Sequence, residues 1–183
     1  MTKNDDMKDR SLHQAQRAYS PSRRMAAIAP EALFFIVMIP WLLTTAGLHA
    51  DRALAFPRIA NGPLSLILGA PLMLLGLFFA IWSVSRLFSL GRGTPLPLMA
   101  TQEIVVRAPY SYCRNPMAFG TILFYLGIAL AIGSLGALAL ALLFAAGLLV
   151  YIRATEETEL RQRFGAKYLE YKSRTPFLIP RLW

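Results

Sequence analysis

Cysteine and histidine are scarce in this sequence, and each scarcity excludes a class of site. A single cysteine, Cys113, rules out an internal disulfide framework and a metal cluster built on several thiolates. The two histidines, His13 and His49, lie far apart in the chain, so a histidine-rich metal site is not expected either. Metal-free chemistry, or no chemistry, is therefore the expectation.

Charge is also scarce, and it is one-sided. Only 16% of the 183 residues are charged, and 19 basic residues against 10 acidic ones give a formal net charge of +9. Hydrophobic residues make up 56% of the chain, and its mean hydropathy is +0.47. Soluble domains seldom combine so apolar a composition with so basic a charge balance, so the sequence predicts an integral membrane protein of one domain.

Long apolar runs divide the chain into four predicted membrane spans. We place them at about residues 30–48, 64–88, 117–132 and 135–152. The last two have roughly sixteen residues each, near the short limit for crossing about 30 Å of hydrocarbon. Pro40 is expected to kink the first span, because proline removes a backbone donor and clashes with the preceding turn. Residues 1–28 are predicted to form a flexible basic tail, and residues 29–183 a single membrane domain.

The third and fourth predicted spans are separated only by residues 133–136, GSLG. Both arms are rich in glycine and alanine, and small residues let helices approach closely in membranes. We therefore expect these two spans to form a tight helical hairpin.

Basic residues decide the predicted orientation. Six lie in the N-terminal tail, four between Arg86 and Arg114, seven after Tyr151, two in the first loop and none in the hairpin turn. The positive-inside rule then places both termini and the central polar stretch in the cytosol. The predicted fold class is an all-α membrane protein with four transmembrane helices and a cytosolic C-terminal helical segment. The compact form and the use of Ala, Leu and Arg indicate a bacterial source, and hence the cytoplasmic membrane.

A polar, proline-punctuated stretch, RAPYSYCRNPMAFG (residues 107–120), interrupts the apolar runs. Pro116 disfavours helix at Asn115 and favours the first helical position for itself, so Asn115 is predicted to cap the third span. Free backbone N–H groups at such a helix start can receive an anionic ligand group. Alone, Arg114-Asn115-Pro116 is a weak signal, because a capped helix beside a snorkelling arginine gives the same pattern.

Two acids after the fourth span have predicted partners on their own helix. Glu157 lies four residues before Arg161, and Glu159 stands in the same relation to Arg163. This is the favourable order for helical ion pairs, which are worth about 0.2–0.5 kcal/mol each. Such pairs explain both acids without a binding role.

Glu156 has no such partner in its own helix. It begins a stripe with a period of four: Glu156, Leu160, Phe164 and Tyr168. Its carboxylate therefore faces the protein body if the helix continues past Gly165. A carboxylate there without a partner is costly, so we expect a ligand cation, Arg114 or Arg153 to meet it. The alternative is a carboxylate at the membrane surface, satisfied by water or a nearby arginine.

The order and spacing of these pieces resemble the integral-membrane methyltransferase superfamily, which includes isoprenylcysteine carboxyl methyltransferases and phosphatidylethanolamine N-methyltransferases. The resemblance rests on GRGTPLP (residues 91–97), on residues 107–120, on the short hairpin and on EETELRQRFGAKYLEYKSRTPFLIP (residues 156–180). It covers roughly the second half of the chain. Gly91 and Gly93 alone make no Rossmann or P-loop fingerprint; the combination is what is specific.

The resemblance implies S-adenosylmethionine bound at the cytosolic face, between the last two spans and the C-terminal segment, with a lipophilic acceptor arriving from the bilayer. We assign Arg114 as the candidate catalytic residue, which orients an anionic group of the acceptor or of the cofactor. The candidate cofactor-binding residues are Gly91, Gly93, Asn115, Pro116, Gly120, Glu156, Glu157 and Tyr168. The expected partners are membrane lipids and a lipid or lipophilic acceptor, with no metal and no nucleic acid.

Two positions bear on the acceptor and the chemistry. The isoprenylcysteine branch usually has histidine where this chain has Asn115, which agrees better with the phospholipid-type and bacterial branches. Ala118 replaces the aromatic residue that commonly follows Asn-Pro-Met, which enlarges or reshapes the pocket. The acceptor therefore stays open between a phospholipid amine, an isoprenoid carboxylate or thiol, and another small lipophilic nucleophile. Cys113 is expected to be a buried spectator and not a nucleophile.

Two other classes of function remain open at this point. Membrane sterol-type reductases share a related Arg-Asn-Pro and a tyrosine-rich C-terminal segment but use NADPH; the pair Glu156-Glu157 favours methyl transfer. A non-catalytic scaffold or transporter subunit is the other alternative. The charges lie at the ends of the spans and not within them, so no polar transport path is visible.

Overall fold

The computed structural model describes residues 21–91 and 102–181, and every regular element in these two ranges is helical. The α-helices are α1 (Pro21–Leu33), α2 (Ile39–Leu54), α3 (Pro63–Arg86), α4 (Pro116–Ile132), α5 (Leu135–Tyr151), α6 (Glu157–Phe164) and α7 (Ala166–Arg174). Three π-helical turns, Phe34–Met38, Leu87–Gly91 and Ile152–Glu156, extend or join them. The all-helical prediction is confirmed for this part of the chain. Residues 1–20 of the predicted tail lie outside it.

Three continuous helices have the length and apolar composition to cross a membrane: Ile28–Leu54, Pro63–Gly91 and Leu135–Phe164. They correspond to the first, second and fourth predicted spans. The third, α4, is apolar but has only 17 residues. At 1.5 Å per residue it is about 25 Å long, slightly less than the thickness of the hydrocarbon core.

The first long helix is irregular close to Pro40, where we expected a kink. The turn directly before it, Phe34–Met38, is π-helical. The side chain of Tyr125 in α4 donates a hydrogen bond from its hydroxyl to the backbone oxygen of Phe35 at 2.7 Å. The irregular turn is thus joined to α4 by a side-chain hydrogen bond.

Helix α4 packs most extensively on α3, and α5 packs on α2. Gly76 and Gly120 let the backbones of α3 and α4 meet, since a Cβ atom on Gly120 would stand 2.5 Å from the Gly76 carbonyl oxygen. Gly47 of α2 faces Ala137 of α5 in the same way. The hairpin itself is confirmed, and its small residues do more than let its own two arms approach each other. They also bring each arm against an earlier helix.

Asp51, near the end of α2, fastens the turn of the hairpin. Its carboxylate accepts hydrogen bonds from the Ser134 hydroxyl at 2.5 Å and from the Gly136 backbone N–H at 2.6 Å. Ser134 in turn caps α5 by accepting from the Ala137 N–H at 2.9 Å. A carboxylate at a helix N-terminus is electrostatically favourable. We call this region the hairpin end, and residues 107–116 with 152–181 the polar end.

At the polar end, Gly165 separates α6 from α7. Its backbone has φ +55° and ψ −127°, which glycine adopts far more readily than other residues. The period of four from Glu156 to Tyr168 therefore does not lie on one helix, so the condition that we set for Glu156 to face the protein body is not met. Tyr168 is nevertheless buried, because α7 carries it back into the protein.

After α7, residues 175–181 form a strap across the polar loop. The Arg114 N–H donates to the Pro176 carbonyl at 2.8 Å, and the Arg181 N–H donates to the Tyr112 carbonyl at 2.9 Å. The Asn115 side-chain amide donates to the Phe177 carbonyl, also at 2.8 Å. The C-terminal strap and the loop before α4 therefore form one structural unit.

Candidate active site

The loop 107–115 is anchored between α3 and α7. The Tyr110 hydroxyl contacts the Ser83 carbonyl of α3 at 3.4 Å, and the Tyr171 hydroxyl of α7 donates to the Tyr110 carbonyl at 2.7 Å. Burial, together with neighbouring negative groups, raises the pKa of Tyr110 well above its ordinary value, so the phenol stays protonated as a donor. The loop can thus hold the residues that follow it in fixed positions.

Cys113 is fully buried in this loop. Burial raises the pKa of its thiol to about 11, while a backbone hydrogen bond at Asn115 acts in the opposite direction. A thiol with so high a pKa is almost entirely protonated near neutral pH and is a poor nucleophile. Its position agrees with the spectator role expected from the sequence.

Arg114 lies at the centre of the polar end. Its side chain is 11% exposed, and its Nη1 forms an ion pair with the Glu157 carboxylate. The same nitrogen contacts the Tyr168 hydroxyl at 3.5 Å, and the guanidinium lies over the Phe177 ring, 5.5 Å from its centroid. Its Nε is buried and has no hydrogen-bond partner in the part of the chain that the structure describes. Arg114 is therefore held on one side and keeps an N–H group unused.

Glu157 is the counter-charge of Arg114, and its other oxygen pairs with Lys172 at 2.6 Å. The predicted helical pair with Arg161 is wrong, since the structure gives Glu157 these two tertiary partners instead. Glu159 does pair with Arg163, at 3.1 Å, as its spacing predicted. Glu157 thus joins the loop before α4 to α6 and α7.

Glu156 ends the π-helical turn before α6, and its side chain is half-buried. Neither arginine that we expected to meet it does so: Arg114 pairs with Glu157, and Arg153 stacks on Phe177 at 4.4 Å. No ion pair to Glu156 occurs within residues 21–91 and 102–181. Of the three partners that we expected for Glu156, namely Arg114, Arg153 and a ligand cation, the ligand cation is the one left.

Tyr168 and Tyr171 line the α7 side of this cluster, with rings 6.4 Å apart. Burial and the negative charge of Glu157 raise the pKa of Tyr168, although Arg114 partly offsets this. Burial is also the largest cause of the raised pKa of Tyr171. Both phenols are therefore neutral near pH 7 and can act as hydrogen-bond donors.

A sequence model described as phospholipid methyltransferase matches residues 64–167, more than half of the chain. The chain belongs to the phospholipid methyltransferase family. No match to a curated protein was found. The family match runs from the start of α3 to the second residue of α7, so it includes Arg114, Glu156 and Glu157. It confirms the resemblance to integral-membrane methyltransferases that the sequence motifs indicated, and with the three long apolar helices it identifies an integral membrane protein.

Not all of the other residues with predicted roles lie beside Arg114. Asn115 and Pro116 begin α4 beside Arg114, as predicted, and the Asn115 side chain binds the strap and not the first turn of the helix. Gly91 is buried at the end of the α3 extension, where its carbonyl accepts from the Gln102 N–H at 2.8 Å. Gly93 lies outside the described residues.

Gly120 and Ala118 are both buried in α4. Gly120 contacts Gly76 of α3, and this close packing explains a glycine there without a ligand. The cofactor role predicted for Gly120 therefore stays a prediction. Of the predicted set, the structure places Arg114, Glu157 and Tyr168 in direct contact.

Sequence reasoning missed two contributors to the site in this family member, Lys172 and Phe177. Both contact charged residues of the cluster but lie beyond the matched region. Lys172 lies four residues after Tyr168, on the same face of a helix, which is a signal that was available. Phe177 carried no such signal, because its position depends on how the strap folds back on the loop.

Proposed function

We propose that this protein transfers a methyl group from S-adenosylmethionine to a lipophilic acceptor at the cytosolic face of the membrane. Family membership supports methyl transfer, and the observation that carries the cofactor assignment is the unequal use of two adjacent acids. Glu157 is taken up by Arg114 and Lys172, whereas Glu156 is half-buried without an ion-pair partner among the described residues. A half-buried carboxylate without a partner is stabilised when a cation binds.

The chemistry of the polar end fits this cofactor. S-adenosylmethionine carries a sulfonium and an ammonium, which require negative charge, and a carboxylate, which requires N–H donors. Glu156 offers the negative charge, and the unpartnered Nε–H of Arg114 offers a donor. In this proposal Glu157 does not contact the cofactor by an ionic bond of its own; it fixes Arg114. This revises the equal roles that we assigned to the two acids.

The cofactor supplies an already activated methyl group, so this chain's residues need only bind, orient and exclude water. Positioning of two reactants can contribute up to about 7–11 kcal/mol of the barrier reduction. Arg114 is suited to it, because an ion pair, a tyrosine and an aromatic ring hold its guanidinium. The neutral phenol of Tyr168 adds no charge beside Arg114, and the Tyr171 hydroxyl holds the loop before α4 through its bond to the Tyr110 carbonyl.

The membrane arrangement that we propose has four spans, with both termini and the polar end in the cytosol. Two contacts support it. The pair Arg114–Glu157 brings the start of α4 and the residues after α5 to one end, and the bonds of Asp51 bring the end of α2 and the start of α5 to the other. Helix α4 therefore runs the length of the bundle despite its 17 residues. A bacterial cytoplasmic membrane remains part of the proposal.

The favoured acceptor class is a phospholipid amine, because the matching family model is that of phospholipid methyltransferases. The test uses detergent-purified protein in three steps. S-adenosylhomocysteine and NADPH are titrated separately by calorimetry. The protein is then incubated with S-adenosylmethionine and with vesicles of amine-bearing phospholipid, or with vesicles of phosphatidylglycerol as the control. Mass spectrometry follows the gain of one methyl mass.

The proposal expects binding of S-adenosylhomocysteine, no binding of NADPH, and methylation confined to the vesicles with an amine headgroup. Binding of NADPH alone would favour a reductase, and binding of neither compound would favour a scaffold. Cofactor binding with methylation of an isoprenoid carboxylate or thiol, and not of the amine lipid, would contradict only the acceptor class.

A further inference from the structure

The C-terminal strap lies beyond the residues that match the family, yet it contributes a ring to the candidate site. The match ends at residue 167, and Phe177 follows ten residues later. Its ring centroid is 5.5 Å from the guanidinium carbon of Arg114 and 4.4 Å from that of Arg153. The family match therefore assigns no role to Phe177.

We propose that Phe177 is a positioning residue, which holds the Arg114 guanidinium in the orientation that leaves its Nε–H free for an anionic group of the cofactor. This inference rests on the proposed function, because it assumes that Arg114 meets the cofactor carboxylate.

The argument begins with the donors of Arg114. A guanidinium has five N–H groups, and the side-chain hydrogen bonds of Arg114 within the described residues all come from Nη1. A single ion pair leaves the plane of the guanidinium free to turn. A second carboxylate would fix that plane, but it would also occupy the donors that a ligand needs. An aromatic ring that packs on the flat face of the guanidinium restrains the orientation of its plane. The N–H groups at the edge of the guanidinium then stay unoccupied.

Phe177 is itself held independently of its ring. The backbone carbonyl of Phe177 accepts from the Asn115 amide, and the neighbouring Pro176 carbonyl accepts from the Arg114 N–H. These bonds involve backbone atoms of the strap, so they remain when the side chain at 177 is changed. Substitution of the ring therefore tests stacking and not simply the presence of the strap.

The stacking also has a distinct chemical requirement. Tryptophan and tyrosine keep a π-face for the guanidinium, whereas leucine and methionine keep much of the apolar bulk without it. Ile179, on the same strap, is 74% exposed and serves as a matched control, since shortening its side chain removes little packing.

The experiment measures S-adenosylhomocysteine affinity by calorimetry for the full-length parent, F177L, F177W and I179A, and for R114K with and without F177L. Thermal midpoints without ligand are measured in parallel. We expect F177L to weaken binding about 2- to 30-fold, the range for a cation–π contact from exposed to desolvated. F177W and I179A should bind nearly as well as the parent. In R114K the further loss from F177L should be much smaller, because lysine has no flat guanidinium to orient.

Equal losses in F177L and I179A, or a full additional loss from F177L in R114K, would overturn the proposal. If F177L cannot be purified folded, F177M takes its place with the same expectations. A parent that does not bind S-adenosylhomocysteine would contradict the proposed function. The ligand-free midpoints would then still test the contact, since stacking requires a smaller effect of F177L in R114K, and equal effects would refute it.

Discussion

Removal of either partner of the pair Arg114–Glu157 should destabilise the protein strongly. Both side chains are only 11% exposed, and loss of one partner from a buried pair costs about 3–5 kcal/mol because the other charge loses its compensation. In Arg114→Met the Glu157 carboxylate keeps its pair with Lys172, so that variant lies at the lower end of the range. For a chain of this size, 1 kcal/mol corresponds to a shift of about 2–4 °C in thermal midpoint. The substitutions Arg114→Met and Glu157→Gln should therefore each lower the midpoint by about 6–20 °C. Lys172, which also pairs with Glu157, is 43% exposed, so Lys172→Met should lower the free energy of unfolding by at most about 1 kcal/mol.

The assay is thermal unfolding of the detergent-purified protein without ligand, for the three single variants and for the double variant at Arg114 and Glu157. The double variant should lose clearly less than the sum of its singles, since the charge that it leaves without its partner, Lys172, is 43% exposed and can be solvated. A Lys172→Met loss as large as that of Arg114→Met would refute the reasoning, because burial would then not decide which ion pair matters. Strict additivity in the double variant would refute the contact itself.

Three further predictions concern packing, reactivity and the hairpin end. Gly120→Ala should lower stability by about 1–3 kcal/mol, because its Cβ would meet the Gly76 carbonyl oxygen at 2.5 Å, whereas Gly147→Ala, with nothing within 4 Å, should be neutral in the same unfolding assay. Cys113 should resist iodoacetamide in the folded protein at pH 8, since its pKa of about 11 leaves little thiolate, and mass spectrometry should show modification only after denaturation; rapid labelling of folded protein would contradict its burial. Asp51→Asn should lower stability by about 1–3 kcal/mol through weakened charge-assisted hydrogen bonds at the start of α5, and an unchanged midpoint would contradict that role.

The helix boundaries at the hairpin were predictable because proline and glycine mark them locally, whereas the first long helix ends at Leu54, six residues after the predicted end of its span at residue 48. The start of α4 at Pro116, its end before Gly133 and the start of α5 at Leu135 all lie within one residue of the predicted positions. The end of α6 was less predictable. Gly165 is tolerated within helices, and only its positive φ shows that this one breaks the helix.

The sequence indicated that Arg114, Glu157 and Tyr168 belong to one region, but it did not indicate the pairing among them. Helical spacing favoured Arg161 for Glu157, yet Arg114, 43 residues earlier in the chain, is the partner. Pairs at helical spacing are worth only a few tenths of a kcal/mol, so a buried tertiary partner readily replaces them. The sequence also did not show which helix backbone each small residue packs against. Gly120 indicates that a backbone comes close, and only the packing shows that it belongs to Gly76.

The central claim is that Glu156 provides the negative charge for a bound cationic cofactor. Calorimetric titration of S-adenosylmethionine into the parent, Glu156→Gln and Glu159→Gln tests it most directly. Glu159 is the matched control, because it lies on the same segment and already pairs with Arg163. The account predicts that Glu156→Gln weakens binding at least about tenfold, as loss of a charge-assisted contact of about 1.5–3 kcal/mol requires, while Glu159→Gln binds like the parent. Parent-like affinity in folded Glu156→Gln would contradict the account.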